Sequence, residues 1–274
     1  MQAMTDANIM DELTLRKALA ILPLGGLRYF ERTGSTNDDA LAWAAAGAPD
    51  LALVYAEQQT AGRGRVNRHW FTPPGAALAF SLVLRTLPVE ARSTPLLSAL
   101  GALAVCEALA ELGLDPEIKW PNDVLLNRRK VSGILAESVW MGERLQNVVL
   151  GIGVNIQPEA VPPPDQLNFP ATCLQAESLA LQSSATALDR AALLGQILQA
   201  LLYWRGLMAS EIFLRAWQSR LAFRGEQVEI WAEGQMIQAG RLEGLGKDGS
   251  LRLTSSQGQD LSIKFGELHL RPVV

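Results

Sequence analysis

The chain has 274 residues, 49% of them hydrophobic and 19% charged, and a formal net charge of −4. That composition excludes a disordered chain and suffices for one large core plus a small second unit. Net negative charge argues against a broad nucleic-acid-binding face. Two cysteines, Cys106 and Cys173, are too few for a disulfide framework or a zinc cluster, and two histidines, His69 and His269, are too few for a multi-histidine metal centre. The N-terminus lacks the basic start and apolar run of a signal peptide, and no stretch is long and apolar enough to span a bilayer. The expectation is a soluble, cytoplasmic protein without a membrane partner.

In chain order, residues 1–23 read as a short helix or a partly ordered arm. "LRYFERT" reads as a strand and Gly34 as a turn. A helix follows from Asp38 to about Ala46, with Ser35 or Thr36 at its cap and Asp38 and Asp39 in its first turn. "LALVYAEQ" and "AALAFSLVLR" are buried strands flanking an arginine-rich loop. "STPLLSALGALAVCEALAELGL" is a long apolar helix ending at Gly113. "EIKW", "DVLLN", "KVSGILAESVW" and "LQNVVLGIGVNI" are strands broken by tight turns. Residues 157–170 hold five of the fourteen prolines and read as a surface loop. Two helices follow. From Arg224 the pattern becomes short strands with glycines between them, which predicts a small SH3-like β-barrel. The boundary falls near Phe223, giving units at 1–223 and 224–274, with 1–27 as an N-terminal arm.

Four segments carry chemistry. "AGRGRVNRHWFTP" places Arg63, Arg65, Arg68 and His69 in one loop without a carboxylate. Arginine keeps its charge and grips phosphate or carboxylate in bidentate fashion, and Gly62 and Gly64 allow unusual torsions and close approach to a ligand. The bland alternative is a solvated basic loop or an RNA-binding arm. "KWPNDVLLNRRK" groups Lys119, Asn122 and Asp123 at a strand end, and the hairpin brings Lys130 back to the same mouth. Asp123 suits a magnesium ion or a substrate hydroxyl, and Lys130 a phosphate or carboxylate; the alternative is an ordinary hairpin with solvated charges. "GSTNDDA" offers Ser35, Thr36 and Asn37 either as a helix cap or as a cradle for an uncharged ring such as a ureido group. "GIGVN" ends a strand with Asn155, and its glycines mark a bulge or a close approach; it lacks the third glycine of a dinucleotide fingerprint.

In this order the four blocks resemble the biotin protein ligases, over about residues 28–157, with the C-terminal unit matching in type only. The resemblance implies an α+β fold: a mixed β-sheet packed by helices, as in class II synthetase-like ligases, followed by the small barrel. It implies ATP-dependent activation of biotin to biotinyl-5′-AMP and transfer to one lysine of a biotin carboxyl carrier protein of acetyl-CoA carboxylase. ATP and Mg2+ are then required, the metal carried by the ATP phosphates. By position, Ser35, Thr36, Asn37, Gln59, Arg63, Gly64, Arg65, Lys130 and Gly133 match the biotin contacts. Arg63, Arg65, Arg68, Trp70, Lys119, Asn122, Asp123, Ile134 and Asn155 match the ATP and adenylate side. Lys130, Arg65 and Asp123 match the catalytic positions. Val66 and Asn67 stand where relatives often have glycine nearby, a departure that bears on loop mobility. The 27 residues before the match are too few for the winged helix that some relatives use on DNA, so no DNA partner is expected. Monomer and homodimer both stay open.

Two rival readings fit the sequence less well. A lipoyl or octanoyl ligase or transferase shares the fold type, but its "RRxxGGGxV" pattern is absent while "GRGR" and "KWPND" are present. A non-enzymatic RNA-binding protein would need a more basic surface with interleaved aromatic residues.

Overall fold

The computed structural model describes residues 9–65, 68–85, 94–142, 144–180, 188–266 and 268–273. The first eight residues of the expected arm, and Val66 and Asn67 of the arginine loop, lie outside the described residues. Within the arm, α1 (Glu12–Ala18) starts at Asp11, whose carboxylate accepts from the Thr14 N–H at 2.6 Å.

Seven strands form the main sheet: β1 (Gly26–Thr33), β2 (Ala52–Gln59), β3 (Ala77–Arg85), β4 (Glu117–Lys119), β5 (Asp123–Leu126), β6 (Arg129–Met141) and β7 (Arg144–Asn155). Their order is β1-β2-β3-β7-β6-β5-β4. Only β1 and β2 run parallel, joined through α2 (Thr36–Ala45) as a crossover requires; every other pair is antiparallel. The sheet is therefore mixed.

Both faces of this sheet are covered, which explains why β2 and β3 read as apolar runs rather than alternating strands. On one face Val54, Val83 and Val149 pack against Ala40 and Ala44 of α2. On the other, Leu53, Tyr55, Leu78, Phe80 and Leu82 join the large core with α3 (Thr94–Glu111). Helix α3 is apolar all round, as a helix enclosed between layers must be. Helix α5 (Arg190–Leu207) packs behind it and is capped by Asp189, which accepts from the N–H groups of Ala191 and Ala192 at 2.9 and 3.0 Å. Helix α4 (Leu174–Ala180) lies between residues 157–173 and α5.

Helix α6 (Glu211–Ser219) is amphipathic and buries Phe213 and Trp217. It leads to β8 (Gln227–Ala232), β9 (Gln235–Leu245), β10 (Leu251–Thr254), β11 (Asp260–Ile263) and β12 (Leu268–Pro272), in the order β11-β10-β9-β8-β12. Among the described residues this is an open run with β11 and β12 at its edges, so the closed barrel expected from the sequence is not seen. The strand β12 was not anticipated, although "LHLRP" alternates apolar and polar residues; its five residues close to the C-terminus are a short signal. Trp120 and Trp217 both pack on Phe265, with ring centroids 5.2 and 6.3 Å away, and fasten the second sheet to the first. No described helix is long and apolar enough to cross a membrane.

Candidate active site

The C-terminal ends of β1 and β2, the β4–β5 corner, the start of β6 and the end of β7 converge on a cavity of about 380 Å3. Every residue matched by position to the biotin or the adenylate side lines it, from Ser35 to Asn155, whereas Gly62 does not. The cavity has an uncharged end and a cationic end.

The uncharged end is built from buried side chains that hold one another. Ser35 occupies the N-cap position of α2, yet its side chain makes no cap hydrogen bond, contrary to the simple capping expectation. The Thr36 N–H and Oγ1 donate to Gln59 Oε1 at 2.8 and 3.1 Å, and Gln59 Nε2 donates to Thr72 Oγ1 at 3.0 Å. Ser81 Oγ donates to Asn37 Oδ1 at 2.6 Å and lies 2.8 Å from Thr36 Oγ1. Asn37 Nδ2 donates to Glu137 Oε2 at 2.6 Å. The two glycines of "GIGVN" explain how these groups fit. A Cβ on Gly151 would stand 2.0 Å from Asn37 Oδ1, and one on Gly153 would stand 2.2 Å from the Trp70 ring. Pairing runs unshifted through both positions, so they mark close approach rather than a bulge.

The arginine loop folds back as a ribbon, with bridges Gln59–Thr72 and Arg63–His69. Gly62 and Gly64 do not adopt positive φ, against expectation; Gly62 is small because a Cβ there would meet the Trp70 carbonyl. Arg63 reaches Asp38 Oδ1 at 2.5 Å and both oxygens of Glu137 at 3.0 Å. Burial works against the Arg63 charge, but Glu137 and Asp38 outweigh it and raise its pKa. Arg65 donates to Asn122 Oδ1 at 3.0 Å and to the Gly266 carbonyl. Arg68 Nη2 lies 3.3 Å from His269 Nε2, on β12. Burial, then Arg68 and Arg65, pulls His269 down to about 4, so its neutral ring accepts from Arg68.

The cationic end rests on the β5–β6 hairpin. Asn127 and Arg128 form a two-residue loop with φ of 47° and 61°, the twist that matches a hairpin. Arg128 is held in that conformation by Glu226 at 2.8 Å and by stacking 4.6 Å over Phe223. The turn sets Lys130 opposite Leu125, and its side chain reaches along the hairpin to the β5 start, where Nζ meets Asp123 Oδ1 at 2.5 Å. Lys119 Nζ meets Asp123 Oδ2 at 3.3 Å. Burial alone would raise the Asp123 pKa, but Lys130 and Lys119 hold it well below the carboxylate range. Burial depresses the Lys119 pKa, partly offset by Asp123. Two ammonium groups thus share one carboxylate, leaving positive charge on the cavity wall. Both are backed by aromatic faces, Trp70 at 5.6 Å from Lys130 and Phe169 at 4.7 Å from Lys119. Asn122 Nδ2 donates to the Ile134 carbonyl at 2.8 Å, and Asn155 Nδ2 to the Thr172 carbonyl at 3.0 Å.

Four contributors escaped the sequence reading. Residues 157–170 are not merely a surface loop: two 3-10 turns fold residues 160–169 into a cavity wall that includes Pro162, Leu167 and Phe169. Glu137 ties Asn37 to Arg63. Ser81 is the only polar residue inside "AALAFSLVLR", a signal that was available. His269, from the second sheet, lines the cavity beside His69 of the arginine loop. Among the described residues no group of three His, Cys, Asp or Glu side chains could cage a metal ion. Asp123 is already engaged by two ammonium groups, so the described residues do not form a magnesium cage and no step is assigned to that metal.

Residues 29–155 match the model of the biotin/lipoate A/B protein ligase family. The chain is 36% identical to the biotin–[acetyl-CoA-carboxylase] ligase of Paracoccus denitrificans, over 84% of this chain and 95% of that protein. It is 32% identical to the enzyme of the same name from Mycobacterium tuberculosis, over 96% of each. It spans only about half (51%) of the bifunctional ligase/repressor BirA of Bacillus subtilis, at 38% identity over 63% of this chain. The biotin protein ligase of Aquifex aeolicus, solved with biotin and ATP, superposes with a TM-score of 0.76 at 27% identity, over 90% of this chain and 99% of that one. With near-complete coverage of two relatives above 30% identity, the chain belongs to the biotin/lipoate A/B protein ligase family.

Proposed function

We propose that this cavity joins biotin to ATP as biotinyl-5′-AMP and passes the biotinyl group to a lysine of a biotin carboxyl carrier protein. One observation carries the reading: cations from Arg63, Arg65, Arg68, Lys119 and Lys130 line one cavity whose opposite end is uncharged and hydrogen-bonding. A ureido ring suits the Thr36, Asn37, Gln59 and Ser81 end, and a carboxylate beside an α-phosphate suits the cationic end. The names of the ligases from Paracoccus denitrificans and Mycobacterium tuberculosis, and the biotin–ATP complex from Aquifex aeolicus, support the same substrates.

The chemistry follows from charge. Two anionic reactants repel until cations neutralise them and hold them in line. A biotin carboxylate oxygen attacks the α-phosphorus and pyrophosphate leaves. Lys130 and Lys119 stabilise the charge that develops there, and Asp123 orients both ammonium groups. Magnesium would arrive with ATP as part of that substrate and would add to the neutralisation. Arg65 spans from Asn122 to the second sheet across the cavity mouth and shields the acyl-adenylate from water. The carrier lysine then attacks the carbonyl carbon as a neutral amine and AMP leaves. We assign residues 1–223 to catalysis, and residues 224–274 to a small SH3-like module that completes the cavity through Leu268 and His269. Incubation with biotin, MgATP and a carrier domain should add one biotinyl mass at one lysine. The reading fails if ATP–pyrophosphate exchange runs with lipoate or octanoate and not with biotin.

A further inference from the structure

A buried carboxylate that does not line the cavity bonds to the hairpin that carries Lys130. Glu177, on α4, is 1% exposed and accepts from three side chains. Thr172 Oγ1 and Arg129 Nη2 donate to its Oε1 at 2.5 and 2.6 Å, and Asn127 Nδ2 donates to its Oε2 at 2.7 Å. One of these donors, Asn127, lies in the β5–β6 turn, Arg129 follows it, and Thr172 comes just after the proline-rich wall. The wall and the hairpin are also laced by backbone. The Lys130 N–H donates to the Pro170 carbonyl at 2.8 Å, and the Thr172 N–H donates to the Lys130 carbonyl at 2.9 Å. The Thr172 carbonyl in turn receives Asn155 Nδ2. One buried carboxylate therefore fixes the residue before Lys130 and the residue that holds Asn155.

We propose that Glu177 is a positioning residue: by clamping Asn127, Arg129 and Thr172 together it sets where Lys130 and Asn155 stand in the cavity. The bonds around it leave little slack. Lys130 Nζ sits 2.5 Å from Asp123, so a shift of the β6 start changes that contact directly. Losing the charge on the acceptor leaves the buried Thr172 hydroxyl with a weaker partner and frees Asn127 and Arg129, which lie at the exposed turn, to bond water instead, so the tie between turn and wall is loosened. The consequence for the reaction rests on the function proposed above. The consequence for the backbone does not.

Amide hydrogen exchange on the full chain without ligand tests the clamp directly. In Glu177→Gln, the amides of Lys130 and Thr172 should exchange about tenfold faster or more, while those of β9 and β10 keep their protection. Biotin-dependent ATP–pyrophosphate exchange should lose about tenfold to a hundredfold in kcat, with a smaller change in the KM for biotin. Glu12→Gln is the control, because Glu12 pairs with Arg16 on the exposed side of α1 and neither residue lines the cavity; it should alter neither readout. Unchanged protection at Lys130 and Thr172, or a uniform loss through both sheets, overturns the proposal. Should Glu177→Gln not fold, Thr172→Val removes one donor, keeps the shape and decides by the same amides. If the wild-type chain shows no biotin-dependent exchange, the proposed function falls while the amide result still settles the clamp.

Discussion

Two buried ionic clusters lie on the main sheet, and they differ in how their charges are matched. Around Glu57, Oε1 accepts from Tyr55 at 2.6 Å and from the Met10 N–H at 3.2 Å, and Oε2 meets Arg190 at 3.1 Å and the Gly75 N–H at 3.3 Å. Arg190 also donates to the Tyr55 hydroxyl and the Ala77 carbonyl. Burial pushes the Tyr55 pKa up, so its hydroxyl keeps the proton it donates. Among the described residues one acid, Glu57, faces Arg190, and neither charged group lines the cavity. Around Asp123 one acid faces two bases, and all three groups line the cavity. A balanced, fully bonded cluster holds elements together. An unbalanced one on a cavity wall keeps electrostatic work in reserve for a ligand.

That contrast breaks if both clusters respond alike to loss of a cation. Arg190→Met strands Glu57 in the core and should cost about 3–5 kcal/mol of stability, with activity per folded molecule kept. Lys130→Met should cut biotinyl-adenylate formation about 100- to 1000-fold while stability hardly changes, because Asp123 keeps Lys119 and the surplus charge is relieved. Urea unfolding beside pyrophosphate exchange measures both. A Lys130→Met chain as unstable as Arg190→Met would place the Asp123 cluster with the scaffold.

The Asp123 cluster was legible in the sequence because its parts are close in the chain: a hairpin with a two-residue turn brings the Lys130 side chain within reach of Asp123. The arginine loop was legible because three arginines without a carboxylate need an anion. That anion turned out in part to be internal, since Glu137 and Asp38 hold Arg63. Strand alternation does not say which distant side chain an outward Glu137 will meet. The Glu57 cluster was not read at all. Arg190 opens a helix more than a hundred residues after Glu57, and nothing local in "ALDRAALL" separates a buried guanidinium from a solvated one. The proline-rich wall was misplaced for a similar reason: prolines mark irregular backbone, not whether that backbone lies over a cavity. Closure of the second sheet depends on twist and edge pairing, which short alternating strands do not encode.

A smaller effect should come from the bridge between the two sheets. Arg65 ties Asn122 to the Gly266 carbonyl, and Arg65→Gly removes both contacts. We expect adenylate formation within about tenfold of wild type, with free biotinyl-5′-AMP escaping into solution when no carrier is present. Chromatography of the filtrate after a single turnover measures the escape. Stoichiometric retention by Arg65→Gly would mean that Arg65, like Arg190, acts only in holding elements together.

The smallest expected effect sharpens the contrast through pH. His269 carries a folded pKa of about 4 against an ordinary 6.5, because burial and the Arg68, Arg65 and Lys119 charges disfavour its proton, while Asp123 favours it. The unfolded chain therefore binds a proton first as pH falls. The stabilisation by neutral His269 is full above about 6.5 and is lost progressively as pH drops toward 4. After discounting for the solvent that reaches the ring, that slope amounts to about 1–2 kcal/mol. Asp123 does not blur it, since a carboxylate with a lowered pKa gives up its stabilisation only below its ordinary value of 3.8. Urea melts from pH 7 to 4.5 should show the slope in the wild type and a shallower one in His269→Gln. Arg68→Met should also flatten it, because the guanidinium that repels the imidazolium is gone. Equal slopes in all three chains would mean that the positive field of the cavity does not reach β12, and that the second sheet stands outside the unbalanced cluster.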